Sequence, residues 1–294
     1  MLTILHGGGR GNFGPIARLF EVKEDVVLYV VEADLDSAGW DRYADASRQE
    51  SEKHGLDIQL VPGCLWSMDD EARPFYVNHM PTSSGLFPRS QFAEEFCRRS
   101  GNGHDTMVWK DVCVPVETRQ VTTVTIDTLV RDGVVASPDV VSLDIQGSEH
   151  AALIGGWNTL SESALCVLTE AEFLPMYENQ PLIGDIQELM DDMGFFLAGF
   201  STQEQWYMGT VLGRGFPAVT EAIFFRRPEF LSQEKKMKLG YIAGAFEYLG
   251  FAHKLLHDVV QNDHDEWERY LAQGGTLAQL THDTYVSIER MLHP

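Results

Sequence analysis

The segment Val140-Val141-Ser142-Leu143-Asp144, continued by Ile145-Gln146-Gly147-Ser148-Glu149-His150-Ala151-Ala152-Leu153, constrains the fold more than any other stretch of the chain. It reads as a buried strand that runs into an acidic turn and then a helix. In an open α/β sheet, ligands sit outside the carboxyl ends of the strands, so Asp144, Gln146 and Glu149 stand where chemistry occurs. Strand, turn and helix signals alternate through roughly the first 225 residues, the pattern of a parallel, doubly wound sheet.

Thr3–His6 is the first expected strand, followed by a glycine turn and a helix over Asn12–Phe20. Val26–Val31 is a continuous apolar run, as for a strand covered on both faces, and Glu32 closes it. A polar helix over Ser37–His54 leads to a third strand, Asp57–Val61, and Ala72–Asn78 reads as an edge strand. His79–Asp111 has weak periodicity and reads as a long loop with a short helix near Gln91–Arg98; loops this long are functional or disordered. Val112–Val116 and Thr122–Thr125 read as short strands, Ile126–Asp132 as a helical turn, and Val140–Asp144 and Ala164–Thr169 as the fourth and fifth core strands.

Pro181 suits the first position of a helix reaching Met193, with Gly194 as its stop signal. Phe195–Phe200 and Val219–Arg226 then form an antiparallel closing pair. From Leu231 the chain changes to a helical, His-rich tail that reads as a capping or dimerising element. The expected division is a ligand-binding domain over 1–228 and a helical extension over 229–294.

A net charge of −22 argues against binding nucleic acid or an anionic membrane surface, since phosphate binding needs clustered Lys and Arg. No stretch approaches the roughly 20 apolar residues of a membrane helix. The first residues, Met1–His6, lack the basic flank and length of a signal peptide, so a cytoplasmic protein is expected. Cys64, Cys97, Cys113 and Cys166 are scattered without metal or redox spacing and read as buried, reduced thiols.

Gly7-Gly8-Gly9-Arg10-Gly11-Asn12-Phe13-Gly14 joins the first strand to the first helix, where glycines let the backbone approach a ligand and the helix start offers free N–H groups. The spacing Gly9-x-Gly11-x-x-Gly14, with Glu32 ending the next strand, fits a dinucleotide fingerprint. The same geometry serves S-adenosylmethionine, whose ribose hydroxyls a carboxylate would hold. Glu32 fits either ligand; Asp34 and Asp36 read as surface or capping residues.

From Asp139 to Phe200 the chain resembles the FkbM family of S-adenosylmethionine-dependent methyltransferases. The family's strand ending in Lys-x-Asp-x-(Glu/Gln)-Gly-x-Glu reads here as Ser142-Leu143-Asp144-Ile145-Gln146-Gly147-Ser148-Glu149. Its Leu-x-Gly helix, acidic strand end, Pro-x-Tyr-x-x-Gln turn and Gly-Phe strand read as Leu153-Ile154-Gly155, Glu170-Ala171-Glu172, Pro175-Met176-Tyr177-Glu178-Asn179-Gln180 and Gly194-Phe195. Upstream, Thr125-Ile126-Asp127-Thr128-Leu129 is similar to a Thr-Leu-Asp segment, Thr82-Ser83-Ser84-Gly85-Leu86 to a Ser-containing loop, and Cys64-Leu65-Trp66-Ser67 falls where adenine is lined. His6 stands where the family usually has Asp, and Ser142 where it has Lys.

The resemblance implies a class I methyltransferase fold: a Rossmann-like, seven-stranded, mostly parallel sheet with helices on both faces, plus the helical extension. It implies S-adenosylmethionine as cofactor, held by His6, Gly7, Gly8, Gly9, Gly11, Asn12, Glu32, Cys64, Leu65, Ser84, Asp144 and Gln146. A small-molecule hydroxyl acceptor, natural product or sugar, is the implied substrate. Asp144 is the first candidate base, followed by Glu149, Glu170 and Glu172, while Tyr177 and Gln180 are candidates for shaping the acceptor pocket. Glu149 also reads as a partner of backbone N–H groups at its helix start. No resident metal is expected. His253 and His257 share one helical face by their i, i+4 spacing and read as exposed. A homodimer through the extension is a further expectation. Two rival readings are an NAD-dependent oxidoreductase using the glycine turn and a non-catalytic, methyltransferase-like interaction protein.

Overall fold

The β-branched run of Val26–Glu32 (β2) is buried along almost its whole length, which only the middle of a sheet covered on both faces provides. The computed structural model describes residues 1–8, 13–33, 45, 48, 49, 51, 52, 55–99 and 105–293. Leu2–Gly7 (β1) pairs in parallel with β2, and β2 with Asp57–Pro62 (β3). On its other side β1 pairs in parallel with Val140–Leu143 (β9), and β9 with Cys166–Glu172 (β10). Phe216–Arg226 (β12) joins β10 antiparallel, and Phe195–Met208 (β11) joins β12 antiparallel. Phe96–Arg99 (β6) and Thr106–Val108 (β7) extend the β11 edge, giving the order β3-β2-β1-β9-β10-β12-β11-β6-β7. A second sheet runs β4-β8-β5, with β4 at Cys64–Leu65, β5 at Ala72–Asn78 and β8 at Pro115–Val124.

Alternate residues of the central strands face two separate cores. Leu2, Ile4, Leu28, Val30, Val140, Leu168, Ile223 and Phe225 face one side. That side is covered by a 3-10 segment, Gly14–Asp25, and by helices α5 (Gln233–Ala245), α6 (Leu249–Asn262) and α8 (Thr276–Leu292), with α7 (His264–Ala272) packed outside. Leu5, Tyr29, Val31, Val141, Leu143, Val167 and Phe224 face the other side, covered by α1 (Ile126–Arg131), α2 (Glu149–Gly155), α3 (Trp157–Glu162) and α4 (Ile183–Asp192). The fold is therefore mixed α/β with a mostly parallel central sheet.

The sheet carries nine strands where seven were expected. The two additional strands, β6 and β7, come from the segment read as a loop, and the short helix expected near Gln91–Arg98 is a 3-10 turn, Gln91–Ala93, followed by β6. Each is three or four residues long, and β6 meets β11 only through Tyr207 and Met208, too little pattern to show in sequence. Thr122–Val124 and Pro115–Val116 of the two short strands expected at Thr122–Thr125 and Val112–Val116 belong to one ten-residue strand, β8, whereas Val112 ends a helical turn, Trp109–Val112; the outward Glu, Arg and Thr residues of β8 hide the apolar alternation. In place of the helix expected over Asn12–Phe20 stands the 3-10 segment; the turn before it lies outside the described residues, as does most of Ser37–His54.

Candidate active site

Between β1 and β9 the strand order reverses, because the chain runs outward from β1 through β2 and β3 and then returns to the opposite side. Such a switch point opens a crevice at the strand ends. Two backbone bonds fasten it: the Asp144 N–H donates to Gly7 O at 3.0 Å and the Gly8 N–H to Val31 O at 3.1 Å. Gly8 has φ +98, and a β-carbon there would lie 1.9 Å from Asp144 O. Only glycine permits this approach.

The crevice holds a cleft. Gly8, Glu32, Cys64, Leu65, Ser84, Asp144 and Gln146 all line it, brought from five separate stretches of chain. Phe75, Gly85 and Ser148 complete parts of its wall and were not foreseen. Ser148 directly precedes α2, and its buried hydroxyl has no hydrogen-bond partner; its place inside the Gln146-x-x-Glu149 stretch was the available signal. His6 and Gly7 are not among the lining residues. His6 is buried beneath, with Nδ1 3.1 Å from Ser142 Oγ, and burial lowers its pKa to about 4, so the ring is neutral. Gly9, Gly11 and Asn12, and likewise Asp34 and Asp36, lie outside the described residues.

Glu32 is buried at the end of β2, and its charge, after desolvation, helps push the Cys64 thiol up to about 12. All four cysteines are buried and unpaired.

Four carboxyl groups gather at the carboxyl ends of β9 and β10: Asp144 and Glu149 follow β9, and Glu170 and Glu172 belong to the last residues of β10. Gln146 Nε2 donates to Asp144 Oδ1 at 2.6 Å and to Glu170 Oε2 at 3.2 Å. The Tyr177 hydroxyl donates to Gln146 Oε1 at 2.6 Å, which fixes the amide's orientation. Gln146 has φ +58, a left-handed conformation that costs a non-glycine residue and persists where surrounding contacts impose it. The Tyr177 N–H in turn donates to Gln180 Oε1 at 2.5 Å, while Gln180 Nε2 is buried without a formed hydrogen bond. Tyr177 is itself buried, edge-on to Trp109 at 5.4 Å. Tyr177 and Gln180 thus stand behind Gln146 and do not line the cleft.

Burial raises the pKa of Asp144, and burial followed by the Asp144, Glu172 and Glu149 charges raises Glu170 far above the carboxylate range. Glu172 is raised by burial and then by Glu149. Glu149 is pushed to about 8 by burial, although the Ile145 N–H donates to its Oε1 at 2.7 Å. That bond has Glu149 brace the turn that precedes α2, and Glu149 is not among the residues that line the cleft. Like charges this close cannot all ionise. Gln146 Nε2 bridges Asp144 and Glu170, and Asp144 is the one of the two that lines the cleft.

Fold and site together define an α/β protein whose ligand cleft sits at a strand-order reversal, with a bare glycine on one wall and an acidic strand end on another. The chain belongs to the FkbM methyltransferase family: the model of the methyltransferase FkbM domain matches residues 25–197. Among solved structures, methyltransferase FkbM from Methylobacillus flagellatus KT is similar at TM-score 0.38 and 13% identity, over 76% of this chain and 44% of that one. The methyltransferase domain of bacterial CtHen1-CN is similar at TM-score 0.32 and 10% identity, over 76% of this chain and 89% of that one. The chain thus spans less than half the length of the first. No curated protein matches the chain.

Proposed function

We propose that the chain is an S-adenosylmethionine-dependent methyltransferase that methylates a hydroxyl of a small molecule, natural product or sugar. The observation that carries this reading is the convergence, in one cleft at the strand-order reversal, of Gly8, Glu32, Cys64, Ser84, Asp144 and Gln146 within a chain of the FkbM family. The residues fit such a cofactor: Gly8 puts bare backbone on the cleft wall, Ser148 lines the cleft and carries a buried hydroxyl without a hydrogen-bond partner, and Glu32 ends β2 where ribose hydroxyls would be held. When bound, S-adenosylmethionine supplies an activated methyl group.

The protein's own part is to align the acceptor and take its proton. Asp144 does both. Gln146 holds its carboxyl group and bonds Glu170 with the same amide nitrogen, so one amide orients both acids beside the cleft. A carboxylate whose pKa is raised by burial is the stronger base. Tyr177 and Gln180 act through Gln146 as positioning residues. In this reading residues 1–228 form the cofactor-binding unit and 229–294 the helical extension.

Calorimetric titration of ligand-free protein with S-adenosylmethionine, S-adenosylhomocysteine and NAD tests the proposal. Micromolar binding of the two sulfur nucleosides without NAD is expected; NAD alone, or none of the three, overturns it.

A further inference from the structure

The His253–His257 pair, expected on an exposed face, is crossed by α8. Glu289 of α8 comes to 2.7 Å from His253 Nε2 and 3.6 Å from His257 Nδ1. We propose that His253, His257 and Glu289 form a site for a divalent transition metal of the zinc type, which fastens α8 to α6. None of the three lines the cleft, and family membership does not require them: the matched residues end at 197.

One ligand atom from each residue lies within 4.8 Å of the others. Zinc bonds to nitrogen or oxygen run about 2.0–2.2 Å, so the edges of a tetrahedral site are about 3.3–3.5 Å. The 3.6 Å separation lies close to that edge and the 2.7 Å one about 0.6 Å below it, so a side-chain rotation that moves the Glu289 oxygen by roughly that amount brings both into range. Two turns of one helix supply the imidazoles, whose ring centroids are 5.1 Å apart. Two nitrogens and one carboxylate oxygen select zinc, copper or nickel over magnesium and calcium, which prefer oxygen alone.

Outer contacts hold the ligands in place. The Tyr285 ring stacks on His253 at 6.1 Å with planes 7° apart, and its hydroxyl lies 3.3 Å from His257 Nδ1, ready to turn to Glu289 when a metal takes that nitrogen. Such supporting groups orient ligands in metal sites. His293 Nε2, 3.9 Å from Glu289 Oε2, is within reach of the fourth position. His253 is 23% and His257 42% exposed in the side chain, so a metal can enter from solvent.

The test uses the tag-free chain stripped with EDTA, titrated with Zn²⁺ in a calorimeter and with Co²⁺ followed by visible absorption. One Zn²⁺ per chain at micromolar or tighter affinity, a tetrahedral cobalt spectrum and a saturable rise in Tm are expected, with no response to Mg²⁺. His257→Ala, at a half-exposed position that tolerates truncation, and Glu289→Gln, which keeps the side-chain volume, each weaken Zn²⁺ binding by at least about 10-fold. Absence of saturable Zn²⁺ binding, or equal binding by wild type and both variants, overturns the site and leaves a His–Glu pair alone.

Discussion

A single buried carboxylate at the end of β2, Glu32, is the proposed ribose contact of the cleft. Glu32 is buried, borders the cleft and stands 112 positions before Asp144 in sequence, yet both line one space. Glu32→Gln removes the charge while keeping the shape, and is expected to weaken S-adenosylhomocysteine binding by about 10-fold or more, the loss of charge-assisted hydrogen bonds worth roughly 1.5–3 kcal/mol; unchanged calorimetric affinity would remove Glu32 from the site. Glu149 has a different measurable role. Its folded pKa of about 8 stands above the ordinary 4.5, so the folded chain binds a proton that the unfolded chain releases. The associated stability is complete below the unfolded value and is lost as pH rises through about 8. His6 acts oppositely, its stability present above 6.5 and lost as pH falls through about 4. Between 6.5 and about 8 the carboxyl effect therefore governs, and the unfolding free energy is expected to fall with rising pH by at most about 1.4 kcal/mol per pH unit from this one group, read as a falling Tm. Glu149→Gln flattens that slope; a slope identical to wild type would assign the effect elsewhere.

At the scale of elements, the cleft depends on how closely β1 and β9 end together. Gly8 combines a positive φ with a β-carbon position inside the Asp144 carbonyl. Gly8→Ala is expected to destabilise the fold by about 2 kcal/mol or more, read as a lower urea midpoint at unchanged m, since strain of roughly 1–3 kcal/mol adds to the steric conflict. A midpoint equal to wild type would mean that the strand ends separate freely. Helix α5 shows the same economy of side chain: a β-carbon on Gly240 would meet Leu256 Cδ2 of α6 at 2.5 Å. Helices α5 and α6, both on the sheet's first face, are thereby brought into close contact.

For the whole molecule, the C-terminal helices are part of the layer that dries the sheet. Leu239, Ile242, Phe246, Leu255, Leu277 and Ile288 share one core with Leu2, Ile4, Leu28 and Phe225. A chain ended at residue 228 would bare that face, each large side chain losing roughly 1.5–3 kcal/mol of burial. It is expected to lack a cooperative thermal transition by circular dichroism. A soluble, cooperatively folding 1–228 would show that the sheet does not need these helices.

Local pattern carried the parallel half of the sheet. The buried runs at β1, β2 and β9, the helix signal after Pro181 and the acidic turn at Asp144 are legible because apolar continuity, glycine turns and strand-end acids are properties of neighbouring residues. The motif of Asp144, Gln146 and Glu149 was legible for the same reason, and with it the family. What tertiary structure decided was everything set by distant pairing: that β6 and β7 join the sheet, that Ser148 and Phe75 complete the cleft, that His6 is buried with Ser142 rather than lining it, and that Glu289 meets His253. Short or exposed strands bury too little to imprint a period on the sequence, and a contact between residues 36 positions apart leaves no local trace, because only the packing of one element on another brings such side chains together.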